Sequence, residues 1–306
     1  MGLHVSNAPY VFSRDTTRVL MLDVVIAMVP TALAGVWFFG LRALLHLLIG
    51  ISAAVAAEYA YQRLTGKPVR IGDCSAIVTG MLVALNMPAP APLWLPLVGS
   101  VAAIVLVKEL FGGIGGNFMN PALTARAILM ISWPVAMTSY TLPVFSLTPG
   151  VDAVSSATVL GGLEATPMAM FLGFIPGAIG EVCKVAILIG LAYMLLRKVI
   201  SWHIPVIYLG SFALLSWVLG NDVLRALLSG GILFGAVFMA PDYTTSPMTK
   251  KGQAVYAVGC GVMTCVIRNF GSYPEGVTFA ILLMNIATPL IDKYLGAGRV
   301  YGKGKK

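Results

Sequence analysis

Apolar residues dominate this chain in long, nearly unbroken windows, and polar residues collect in the short stretches between them. A helix needs about 20 largely apolar residues to cross the hydrocarbon core of a bilayer. Such windows run near 19–40, 42–61, 73–88, 93–110 and 121–134, and again near 181–197, 204–220, 223–240, 253–268 and 275–292. The pattern predicts an all-α polytopic membrane protein with about ten transmembrane helices. The windows at 73–88 and 121–134 are short and clipped by Gly and Pro, which predicts broken or tilted helices there. Residues 135–167 form a loop between two sets of five windows, so the chain divides into 1–134, 135–167 and 168–306.

Composition agrees with the windows. The chain is 58% hydrophobic and 10% charged, with a mean hydropathy of +0.89, which excludes an ordinary soluble domain. The net charge of +8 gains meaning from its distribution. With the N-terminus inside, the cytoplasmic side collects Arg14, Arg18, Arg63, Lys67, Arg70, Lys108, Arg126, Arg197, Lys198, Lys250, Lys251, Lys293, Arg299, Lys303, Lys305 and Lys306. Only Arg42, Arg225 and Arg268 fall on the far side, and Lys184 is ambiguous. This bias predicts both termini in the cytoplasm. The basic tail reads as a topology determinant beside anionic membrane lipid, not as a nucleic-acid patch. The polar residues before the first window, and the length of that window, predict a retained N-terminal helix with no cleavable signal peptide. Cys74, Cys183, Cys260 and Cys265 show no C-x-x-C spacing and read as packing residues, not as a complete metal or iron–sulfur site.

The two halves share a faint ordered similarity. Gly80 to Pro90 (GMLVALNMPAP) aligns without a gap on Gly231 to Pro241 (GILFGAVFMAP), and Leu110-Phe111-Gly112 corresponds to Asn269-Phe270-Gly271. The matched windows are the third and the eighth, so five crossings separate them and they run in opposite directions. That is the pattern of an inverted repeat of five plus five helices, in which sites gather at the interface of the halves. Gly-rich helices also recur because small residues let helices pack closely, and the two explanations stand side by side.

Three segments carry candidate chemistry. Asp152 to Thr158 (DAVSSAT) lies within Ala127–Cys183, the longest stretch without Lys or Arg, and is therefore placed away from the cytoplasm. By residue type it is a polar loop, with Asp152 suited to an Asx turn after Pro149-Gly150. Lys108 to Ala122 carries Gly112, Gly113, Gly115 and Gly116, and sets Asn120 as N-cap before Pro121. Such a loop brings amides such as Asn117 and Asn120 up to a planar heterocycle, or serves only as a helix cap. No Lys-Ser/Thr pair follows the glycines and no strand–helix alternation surrounds them, so nucleotide hydrolysis is not indicated. Asp242, Tyr243 and Thr244 open a cytoplasmic turn that lines a cofactor pocket or simply caps. Among ionisable residues within the windows, Asp23, Glu58 and Lys108 lie close enough to an end to snorkel. Glu181 and Lys184, three apart, are spaced to pair with each other.

The DAVSSAT stretch resembles the flavinylation motif, Asp-x-x-(Ser/Thr)-(Gly/Ser)-Ala-Thr, of the ion-pumping electron-transfer complexes Rnf and Nqr. The resemblance, to the family of the D subunit of Rnf and the B subunit of Nqr, extends over nearly all 306 residues. It implies FMN joined through a phosphoester to Thr158, with Asp152, Ser155, Ser156 and Ala157 read by a flavin transferase during maturation. It also implies a non-covalent riboflavin beside Asn117 and Asn120, and a urea-transporter-like fold. The activity implied is electron transfer between ferredoxin and NAD coupled to Na⁺ or H⁺ movement across the cell inner (cytoplasmic) membrane. The implied partners are the other Rnf subunits: G with its own covalent FMN, A, E, C and B. The short N-terminus favours Rnf over the quinone-reducing Nqr complex. A urea-channel-like solute transporter is the competing reading from architecture alone. The tethering motif, and the want of a polar lining repeated in both halves, weigh against it.

Overall fold

The computed structural model describes residues 16–143, 158–271 and 276–295. Asp152, Ser155, Ser156 and Ala157 lie outside them. Among the described residues every regular element is helical, and extended pairing is confined to an isolated bridge between Pro88 and Ala178.

Helices α1 (Thr17–Phe39) and α2 (Leu41–Leu64) match their apolar windows closely. Thr16 caps the first, its hydroxyl accepting from Val19 N, and Gly40 at φ +67° turns the chain between them in a conformation that glycine adopts without strain. With α13 (Val277–Leu295) they are, among the described residues, the three helices long and apolar enough to span a bilayer. α12 (Lys250–Phe270), capped by Thr249, is longer than α13 but less apolar. Leu33, Trp37, Leu48, Leu214, Trp217 and Leu290 stand exposed, as side chains facing lipid do.

The remaining windows break up. The third contracts to α3 (Ser75–Leu85). The fourth begins as α4 (Trp94–Ala102) and continues as a π-helix over Ala103–Glu109. α5 (Pro121–Ser132) and a short α6 (Pro134–Thr138) follow. Beyond Thr158 come α7 (Pro167–Leu172), α8 (Lys184–Leu196) and α9 (His203–Val218). The window at 223–240 splits into α10 (Val223–Leu228) and a turn through Gly230 at φ +59°. It resumes in α11 (Ile232–Phe234), which runs on as a second π-helix over Gly235–Met239. Irregular backbone at this depth is tolerated only where protein covers it. Here the cover is explicit: Ile179 N donates to Met87 O (3.0 Å) and Gly180 N to Leu85 O (2.7 Å), joining the chain before α8 to the end of α3.

α2 packs on α3 and α4, α9 on α12, α12 on α13, and α1 on α8. Small residues set these distances. A Cβ on Gly80 would stand 2.5 Å from Gly50 O, so α2 and α3 meet backbone to backbone. Gly261 meets α9 in the same way: a Cβ there would stand 2.8 Å from Tyr208 O.

Candidate functional site

Buried charge organises the interior, and by partners the sequence does not announce. Glu58 and Lys108, expected to snorkel, are 1% and 3% exposed and pair with each other, Lys108 Nζ to Glu58 Oε2 at 2.7 Å. Ser75 Oγ also accepts from Lys108. Gln62 Nε2 bridges the carboxylates of Glu58 (3.3 Å) and Glu109 (3.1 Å). Asp23 likewise stays inside, accepting from Tyr193 Oη (2.9 Å) and Arg197 Nη2 (3.2 Å). Glu181 and Lys184 do not pair through their charged ends. Lys184 donates to the main-chain carbonyl of Glu181, and the Glu181 carboxylate takes Arg126 at 2.9 Å instead. The i,i+3 rule fails because α8 starts only at Lys184, so Glu181 sits in the preceding turn and not on a helical face. Arg126, counted among the inside charges, is 4% exposed and also donates to Asn86 Oδ1.

The Lys108–Glu58 pair is a partition. On one side is a polar cavity of about 730 Å³ lined by Glu58, Gln62, Lys67, Arg70, Asp73 and Glu109. On the other is a narrow cleft of about 90 Å³ floored by Lys108 and Ser75. Its walls are apolar: Met21 and Val24 of α1, Val78 and Leu82 of α3, Met194 of α8, and Val237 and Phe238 of the second π-helix. Besides Thr79 of α3, its polar groups are Asn117, Asn120, Asp242, Tyr243 and Thr244, so two segments more than a hundred residues apart meet in one place.

The local folding that brings them together can be followed atom by atom. Asn120 caps α5, its Oδ1 accepting from Ala122 N (3.0 Å) and Leu123 N (3.2 Å). Its Nδ2 donates to Met239 O (3.3 Å), at the end of the second π-helix. Asn117 Nδ2 donates to Thr244 Oγ1 (3.0 Å), and the Thr244 hydroxyl donates to Asp242 at 3.0 Å, forming a relay from one half of the chain to the other. Asp242 keeps some solvent at the mouth but is packed among protein atoms. Burial pushes its carboxyl above the usual range, opposed by hydrogen bonds from Thr244 and Thr245. Burial, and then the charges of Asp242 and Asp73, push the Tyr243 phenol up to about 12. The cap and the cleft are therefore not alternatives for Asn120: its carbonyl oxygen caps while its amide nitrogen faces the second half. Sequence reading missed Lys108 and Ser75 as parts of the cleft: Lys108 is placed there by the π-helical turn over Ala103–Glu109 and Ser75 by the start of α3.

Thr158 stands apart from this cleft, partly exposed, at the start of a single 3₁₀ turn over Val159–Gly161. Its Oγ1 accepts from Gly161 N at 3.2 Å and its carbonyl from Leu163 N at 3.2 Å, while Val159 is buried against Met170 and Ile175. The turn is thus anchored by Val159, with the hydroxyl at its outer edge.

Apolar helices of spanning length, exposed apolar flanks, and buried ion pairs around a cleft between the halves define a polytopic helical membrane protein with an internal polar site. A family model described as "NQR2, RnfD, RnfE family" matches residues 4–301. Over its whole length the chain is 44% identical to the D subunit of the Na⁺-translocating ferredoxin:NAD⁺ oxidoreductase complex of Acetobacterium woodii, covering 97% of that protein. It is 41% identical to the D subunit of the proton-translocating ferredoxin:NAD⁺ oxidoreductase complex of Clostridium ljungdahlii, over 95% of this chain and 93% of that one. It is 33% identical to the D subunit of the ion-translocating oxidoreductase complex of Escherichia fergusonii, over the full length of both. The chain belongs to the NQR2, RnfD, RnfE family.

Proposed function

We propose that the chain is the D subunit of an Rnf-type, ion-translocating ferredoxin:NAD⁺ oxidoreductase, a membrane subunit that carries electrons between flavins on opposite sides of the bilayer. The observation that carries this reading is end-to-end similarity to proteins of that name, with Thr158 closing a flavinylation-type motif. FMN in phosphoester linkage to Thr158, attached by a flavin transferase, serves the outer side. A non-covalent riboflavin at the Asn117–Asn120 cleft serves the inner. Flavins supply one- and two-electron redox chemistry; the protein supplies position and electrostatics.

The inner cleft suits a planar heterocycle by its donors and walls. Asn117 and Asn120 amides, the Thr244 hydroxyl and the Lys108 ammonium converge between apolar slabs, the usual construction of a ligand site, and a bound ring exchanges for itself some of the bonds they make to Thr244, Met239 O, Asp242 and Glu58. At about 90 Å³ it is tighter than the roughly 300 Å³ where ordinary ligand clefts begin. Met21 and Met194, unbranched and adaptable, are the side chains that yield to admit a ring. Once a ring is bound, the asparagines orient its polar edge, and the α1, α3 and α8 side chains keep water from its face.

The architecture that goes with this reading is ten spans in two inverted halves, with both termini cytoplasmic. The charge bias supports it. The exposed tryptophans Trp37, Trp94, Trp133, Trp202 and Trp217 stand at or near helix ends, where aromatic belts form at both membrane interfaces. The A, B, C, E and G components of the complex are the proposed partners and the cell membrane the location. The test is whether the denatured polypeptide, purified from cells with the transferase, keeps flavin fluorescence, and whether Thr158→Ala loses it. A wild-type chain without fluorescence overturns the flavin-carrying role proposed for it.

A further inference from the structure

A line of polar side chains runs without a break from an exposed lysine to the floor of the inner cleft. Lys67 Nζ, on a side chain 40% exposed, stands 3.8 Å from Glu109 Oε2. Glu109 Oε1 accepts from Gln62 Nε2 at 3.1 Å, and the same nitrogen reaches Glu58 Oε1 at 3.3 Å. Glu58 Oε2 then takes Lys108 Nζ at 2.7 Å. Glu58, Gln62, Lys67 and Glu109 all border the polar cavity of about 730 Å³, whereas Lys108 borders the cleft. The Glu58–Lys108 contact is therefore where the two spaces meet through titratable groups.

The groups that face this pair fix its direction. From the 3₁₀ turn Ile71–Asp73, the Asp73 carboxylate accepts from Ser75 N (2.9 Å) and Ser75 Oγ (2.7 Å), and so holds the oxygen that Lys108 bonds at 2.5 Å. Arg18 of α1 and Arg70 line the cavity with the acids, so water there sits among charges of both signs. On the cleft side the other titratable groups are Asp242 and Tyr243. Asp242 accepts hydrogen bonds at both carboxylate oxygens, and the Tyr243 phenol is pushed up to about 12. Neither offers a proton near neutrality. An ammonium carries three N–H donors; among the described residues Glu58 and Ser75 take two of those on Lys108.

We propose that Lys108 and Glu58 pass protons from the polar cavity to the cofactor of the inner cleft, with Gln62 as a positioning residue that holds the carboxylate. The proposal rests on the reading of that cleft as the seat of a non-covalent flavin. A ring that receives an electron from another carrier of the complex gains a negative charge, and between apolar walls an uncompensated charge is costly. A proton must follow. One N–H bond of the Lys108 ammonium breaks as that hydrogen bonds to a ring nitrogen, leaving a neutral amine. Glu58 takes a proton from cavity water and hands it to the amine, which restores the ammonium–carboxylate pair. The net change is one electron and one proton gained by the ring, and one proton lost from cavity water. This proton is consumed in the redox step and is separate from the ion moved across the membrane.

The experiment uses the assembled complex in lipid nanodiscs, reduced rapidly with NADH while flavin absorbance and a pH-indicator dye are followed together. The proton uptake that accompanies reduction of the non-covalent flavin is compared in wild type, Glu58→Ala, Glu58→Asp, and Glu58→Gln with Lys108→Met. Its rate should fall about a hundredfold in Glu58→Ala, the scale of a lost proton-transfer group, and return in Glu58→Asp. Acetate, small enough to enter the cavity, should restore Glu58→Ala but not the double variant, which has no amine to recharge. A purely structural Glu58 predicts no response to acetate. Glu58→Ala strands the Lys108 charge; the double variant strands none and keeps the test open if the single one fails to fold. Uptake at the wild-type rate in either variant overturns the proposal, and so does rescue of the double variant by acetate. Flavin released on denaturing the wild-type complex is counted first: a complex with no non-covalent flavin overturns the inner-flavin reading, and the relay with it.

Discussion

Replacing Lys108 by Met removes the ammonium that touches Glu58, in a place where water cannot substitute for it. Glu58 and Lys108 are 1% and 3% exposed and 2.7 Å apart, and the substitution leaves the carboxylate with Gln62 Nε2 as a donor at 3.3 Å. At an effective dielectric near 20, opposite charges about 4 Å apart attract by roughly 4 kcal/mol. Stranding one member of a buried pair costs about 3–5 kcal/mol in measured cases. For a chain of this size that amounts to a fall in melting temperature on the order of 10 °C. Removing both charges, with Glu58→Gln and Lys108→Met together, leaves no stranded ion and recovers most of the loss. Thermal unfolding in detergent, followed by the reaction of the fully buried thiols Cys260 and Cys265 with a fluorogenic dye, reads both variants. If the single variant melts no lower than the double, the two charges do not depend on each other and the partition between the cavities is not electrostatic.

Three further outcomes follow from the same geometry. The folded Asp242 carboxyl holds its proton to a higher pH than its ordinary value of 3.8, so its contribution to stability is complete below that value and is lost as pH rises through the folded one. Asp242→Asn should therefore melt above wild type near about pH 7 and lose that advantage near about pH 4; a constant difference across that window would contradict the burial argument. Asn117→Leu with Asn120→Leu should strip non-covalent flavin while FMN on Thr158 persists, at roughly 1–3 kcal/mol per lost polar contact. Asn120→Ser, which retains the α5 cap, separates ligand loss from helix damage worth about 1 kcal/mol; riboflavin retained by the double Leu variant at the wild-type ratio to FMN would place the inner site elsewhere. Cysteine at exposed Glu164 should react with an impermeant reagent from outside whole cells and cysteine at exposed Lys250 should not; the reverse pattern would invert the order of carriers.

The long helices were legible because continuous apolar sequence has one reading in a bilayer: α1 and α2 end close to their windows. The broken ones were not. A π-helical insertion such as Gly235–Met239 differs from an α-helix by a hydrogen-bond register that hydropathy does not encode. Yet it is this register that sets Met239 O against Asn120. Charges near window ends were misread for a related reason. Lys108 is in snorkelling range of an interface, but its partner Glu58 lies 50 residues away on α2, and only the packed fold reveals which option wins. The cleft was half legible: Asn117 with Asn120, and Asp242 with Tyr243 and Thr244, stood out as separate segments, and nothing in the sequence joined them. At Thr158 the sequence offers a motif, and the described residues add to it the 3₁₀ turn over Val159–Gly161, held by buried Val159, which no pattern of residues announced.

The central claim, that this chain carries a flavin on Thr158, is tested most directly by peptide mass spectrometry of residues 150–165 from the protein purified out of cells that express the flavin transferase. The expected mass is that of the peptide with one added FMN, less the water lost on forming the ester, and fragment ions should place the addition on Thr158. An unmodified peptide, or a flavin localised to Ser155 or Ser156 instead, would contradict it.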